Sequence, residues 1–95
     1  MLAQNPQDSF ARYGLAMEYS KRGDLETAVT EFKMLLEHNP DYAAAYFHGG
    51  QALEKLGRVQ AARDFYEKGI AVTTRSGDRH AQSELKAAID LLPEE

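Results

Sequence analysis

Three histidines, His38, His48 and His80, and fifteen Asp and Glu residues are the side chains able to carry acid–base or metal chemistry. No two histidines stand at metal-ligand spacing, and none pairs around a Glu as zinc-binding helices require. There is no cysteine, which removes disulfides, thiolate nucleophiles and cysteine-ligated metals. Neither a Gly-rich phosphate loop nor a nucleophile elbow occurs. The carboxylates are dispersed: Glu26, Glu31, Glu37, Asp64 and Glu67 read as the solvent faces of helices, with no apolar pocket to raise their pKa. The histidines read as solvated or local. The chain therefore reads as a non-enzyme with no catalytic, cofactor-binding or metal-binding residues.

The elements that position these residues carry more information. Ninety-five residues with 43% hydrophobic and 27% charged content describe one small globular domain of modest stability. The net charge is −4 with both signs mixed along the chain, and no Lys/Arg run tracks a phosphate backbone, so nucleic acid is not an expected partner. No apolar stretch approaches the roughly 20 residues that span a bilayer, so no membrane association is expected. The first six residues lack both the basic stretch and the apolar core of a signal peptide, and a cytoplasmic location is the expectation.

Shifted by 34 residues, the sequence lines up with itself. Ala11 falls on Ala45, Lys21 on Lys55, Gly23 on Gly57 and Ala28 on Ala62, while Tyr13 meets Phe47, Phe32 meets Tyr66 and Leu36 meets Ile70. Leu2, Asn5 and Pro6 anticipate Leu36, Asn39 and Pro40 at the same offset. The whole chain, 1–95, is one domain: repeat 1 at 9–42, repeat 2 at 43–76 and a capping helix at 78–92.

Each repeat reads as two helices. Ala11, Leu15, Ala16 and Tyr19 share one face of the first, capped by Asp8 and ended by Gly23. Asp24 caps the second, whose stripe is Leu25, Ala28, Val29, Phe32, Leu35 and Leu36, and Asn39-Pro40 stops it. Ala45, Tyr46, Gly49, Gly50, Leu53 and Leu56 make the third stripe; Val59, Ala62, Tyr66, Gly69 and Ile70 make the fourth. Ala16, Ala28, Gly50, Ala62 and Gly69 mark close helix approaches. In the last helix Ala81, Leu85, Ala88, Ile89 and Leu92 point inward, covering the open edge of the second repeat.

This pattern, carried by Leu15-Ala16, Tyr19, Gly23-Asp24, Ala28, Phe32 and Pro40 and again by Tyr46, Gly50, Gly57, Ala62 and Tyr66, resembles the tetratricopeptide repeat family. Arg12 stands where the family often has a large aromatic, and Gly49 where Leu is usual, which is expected to loosen the second repeat. Thr74 replaces the closing proline, so the fourth helix is expected to run on toward Arg75. The resemblance implies an all-α fold, a right-handed α-solenoid of antiparallel helix pairs with five helices. It further implies a protein-interaction module that binds a peptide or helix in a concave groove.

At groove positions the partner-binding candidates are Phe10, Tyr13, Met17 and Phe47 as an apolar floor, with His48, Gln51 and Glu54 along one side. Leu85 or Gln82 would close the end. The floor residues have a competing reading as internal packing, with Leu2 and Pro6 stapled onto Phe10. The family's clamp for chaperone C-terminal carboxylates needs Lys, Asn and Arg where this chain has Tyr13, Met17, His48, Asp78 and Gln82, so that ligand is not expected. The alternative function is a structural or self-associating module, alone or within a longer repeat array; under either function the chain is expected as a monomer or weak homodimer.

Overall fold

A computed structural model describes residues 8–94. Asp8 opens α1 (Ser9–Lys21) by accepting the Ala11 amide at 3.1 Å, and Asp24 opens α2 (Leu25–His38) by accepting that of Thr27. After α1 the chain turns at Gly23, whose φ of 83° lies in the left-handed region, and Asp24 N donates back to the Tyr19 carbonyl. Gly57, 34 residues on, does the same with φ 78° between α3 (Ala43–Lys55) and α4 (Val59–Ser76). With Thr74 in place of a proline, α4 does run past Arg75. Asp78 then caps α5 (Arg79–Asp90) through the Ala81 amide. Leu2, Asn5 and Pro6 lie outside the described residues.

The helices form two layers, in a body 41 × 31 × 17 Å. Consecutive helices pack as antiparallel pairs, and α3 also adjoins α1 on one side and α5 on the other. Among the described residues the α2 and α4 backbones do not approach each other as α1 and α5 approach α3, and only side chains such as Phe65 bridge them. The inner row α1–α3–α5 is thus drawn together and the outer row splayed, which curves the array toward the inner row.

Two apolar clusters hold the layers. Ala16, Ala28, Phe32, Leu35 and Ala45 join the first repeat to α3; Tyr46, Leu53, Ala62, Tyr66 and Leu85 join the second repeat to α5. Small residues sit where the sequence places close approach. A Cβ on Gly50 would enter the Tyr66 ring, and one on Gly69 would lie 2.8 Å from Tyr46 Cβ. In α5 the inward stripe is as expected, with Leu85 1% exposed and His80, Ser83 and Glu84 outside.

Three expectations need correction. Leu15 is 36% exposed, and the buried face of α1 runs instead through Arg12, 8% exposed, and Ala16. Glu31 is not on the solvent face: it accepts a 2.6 Å hydrogen bond from Arg12. Gly49 does not loosen the second repeat, because the Phe65 ring from α4 occupies the place its side chain would take.

Candidate functional site

The inner surface is organised by a row of rings. Tyr42 and Tyr13 have centroids 5.4 Å apart, Tyr13 and His48 5.8 Å, His48 and Phe47 5.2 Å, and Phe47 and Tyr66 6.4 Å. The row crosses from α1 to α3 and down to the core between α3 and α4. Edge-to-face contacts at His48 suit the ring quadrupoles. Burial lowers the His48 pKa, with Gln51 and Glu84 acting in the opposite sense.

The expected site residues separate into three groups. Tyr13 and Met17 are half-buried and pack against the first apolar cluster, Tyr13 with its ring 6.2 Å from Phe32. Phe10 is 79% exposed and stands apart from the row. Phe47, His48, Gln51 and Glu54 come together on α3 and face α5. Two clefts open there. One of about 310 Å³ is lined by Ala44, Phe47, His48, Asp78, Glu84 and Leu85, among others. The second, of about 380 Å³, is lined by Phe47, Gln51, Glu54, Glu84 and Leu91 with two alanines. Leu85 belongs to the core and also closes the first cleft. Gln82 is engaged elsewhere, donating to Thr74 Oγ1 at 2.6 Å.

Glu54 is held in place. It accepts a hydrogen bond from the Tyr66 hydroxyl, whose ring is fully buried, and burial together with this bond pushes the Tyr66 pKa far up. A carboxylate with a fixed partner beneath it presents its remaining lone pairs in a set direction.

The α5 side of the site, Glu84 and Leu91, was not found in the sequence. Leu91 is 83% exposed, and an apolar residue at a helix end carries no signal of its own until α5 is seen against Phe47. On the outer face a further cleft of about 360 Å³ lies in the splay between α2 and α4, lined by Lys33, Leu36, Tyr46, Phe65 and Lys68 with Glu37. Among the described residues no group of three His, Asp or Glu side chains is placed to hold a metal ion, and no helix is long and apolar enough to cross a membrane.

Stacked helical hairpins with an exposed inner row define a helical repeat protein. The tetratricopeptide repeat family matches residues 13–78, and this chain belongs to it. It is 32% identical over 85 residues to a TPR repeat-containing protein of Pseudomonas aeruginosa, covering 90% of this chain and 81% of that protein. A solution structure of a tetratricopeptide repeat domain protein from Salinibacter ruber superposes with a TM-score of 0.83 at 39% identity, over 90% of this chain and 86% of that one. A Bordetella parapertussis protein gives a TM-score of 0.82 at 27% identity, over 95% and 78%. Proteins of this family are helical scaffolds that typically mediate protein interactions.

Proposed function

We propose that this domain binds a peptide or helix of a partner protein on its inner surface, at the α3–α5 half, and that it does not clamp a chain-terminal carboxylate. The observation that carries the reading is Phe47, half-buried at the meeting of two open clefts. Apolar clefts with a few fixed polar groups are the usual form of a docking site. Against the clamp, Asp78 brings negative charge to one of its positions and already caps α5, and Gln82 is bonded to Thr74.

Amide shift mapping with a partner captured from source cells tests the reading. Perturbations should gather on Phe47, Gln51, Glu84 and Leu91, and Leu91→Ser should weaken binding with helicity unchanged. A map confined to the outer cleft around Lys33 and Lys68 would overturn it. The exposure of Phe10 favours one competing occupant, a second copy of the chain. Sedimentation showing a concentration-dependent dimer that hides Phe10 and Tyr13 would favour self-association.

A further inference from the structure

The two α3–α5 clefts are apolar at their floor and of one sign at their rim. Phe47 and Leu91 offer the contact area, Glu54, Glu84 and Asp78 supply the charge, and among the described residues no Lys or Arg lines either cleft. Lys55 lines a small hollow beside the second cleft, with Gln51 and Glu54, and not the cleft itself. Among the described residues Glu84 forms an ion pair with His80, at 3.5 Å, an attraction that exists only while that imidazole is protonated. Burial of His48 favours its neutral form, so this ring adds little positive charge to the site near neutral pH. The outer cleft has the opposite character, with Lys33 and Lys68 against one glutamate.

Resting on the groove reading above, we infer that the α3–α5 cleft accepts a cationic amphipathic segment, its apolar side chains on Phe47 and Leu91 and its Lys or Arg side chains against Glu54 and Glu84. The presence of an apolar floor and acidic walls in the same clefts supports this partner. An apolar side chain entering beside Phe47 brings its flanking residues to the carboxylates on either wall. A segment with Asp or Glu there would place like charges together in a partly desolvated cleft, which is strongly disfavoured. Charge complementarity thus selects among the segments that the apolar floor alone would admit.

The test uses the intact chain and two synthetic amphipathic peptides with identical leucine positions, one carrying Lys and the other Glu on the polar face. Calorimetric titration should show binding of the Leu/Lys peptide, weakened by added salt, and none of the Leu/Glu peptide. Glu84→Gln, at a half-exposed position, should weaken the Leu/Lys peptide about three- to fivefold. Glu67→Gln, an exposed acid on α4, should leave it unchanged, which separates the cleft from the chain's general negative charge. Equal binding of both peptides, or equal effects of the two substitutions, would overturn the inference. If the Leu/Glu peptide still shifts Phe47 and Leu91 resonances, the groove reading stands and only the charge assignment falls. If neither peptide shifts any α3 or α5 resonance, both fall.

Discussion

Arg12 Nη1 lies 2.6 Å from Glu31 Oε1 across the α1–α2 interface, with the two side chains 10% and 16% exposed. The Arg12 guanidinium also reaches Met34 Sδ at 3.7 Å. A charged pair thus fills the place where the family often has a large aromatic. Its stem covers apolar surface while its head is neutralised by a partner 19 residues away.

Arg12→Ala is expected to destabilise the domain by about 2–4 kcal/mol, since it leaves Glu31 with an unpaired, largely buried carboxylate. Glu31→Ala should cost a similar amount. The double variant Arg12→Met with Glu31→Leu should recover most of the loss, because apolar packing replaces a costly desolvated pair. Urea midpoints of the four proteins decide it. A double variant as unstable as the singles would mean that the pair has no such interchangeable role.

The glycines make opposite predictions. Gly14 faces open space on α1, so Gly14→Ala should stabilise by about 0.5–1 kcal/mol, the usual gain in a helix interior. Gly69→Ala should instead cost about 1–3 kcal/mol, as the added methyl meets Tyr46 and Leu85. Ala28→Leu, at a fully buried site, should destabilise in the same sense. Thermal melts showing the same sign for Gly14→Ala and Gly69→Ala would refute the packing account.

His48 predicts an acid-side loss. Its folded pKa lies below the ordinary value, because burial disfavours the imidazolium. The unfolded chain therefore takes up the proton first as pH falls. The His48 contribution is full above the unfolded value of about 6.5 and is lost as pH drops through it toward the folded value. His48→Gln should flatten this part of the stability curve relative to the unsubstituted protein. Denaturation midpoints compared between pH 5 and 7.5 for the two proteins provide the check, and an unchanged slope in the variant would refute it.

Most of the helices were legible. The 34-residue echo, the aspartate caps, Gly23 and Gly57 after their helices and the Pro40 stop are local signals, each readable within a turn or two of the chain. The capping helix followed its own apolar stripe for the same reason. Leu15 was misread because the true buried face of α1 passes through Arg12, and a charged residue hides an inward face from any count of apolar positions. Half of the lining of the candidate clefts was legible as well: Phe47, His48, Gln51 and Glu54 follow each other on one helix face. Tyr13 and Met17 share the helical position of groove residues, yet their rings and chains are taken up largely by the first cluster.

By itself, then, the sequence determined the repeat, its helices, their ends and the small residues that let them stack, because periodicity and capping act between near neighbours in the chain. Tertiary structure alone decided that Arg12 pairs with Glu31, that Phe65 fills the space at Gly49, and that Glu54 rests on Tyr66. It also decided that Glu84 and Leu91 complete a cleft begun by Phe47. Each of these joins residues from different helices, and which side chains meet there depends on how the helices rotate and splay as they stack, a quantity that no single helix carries.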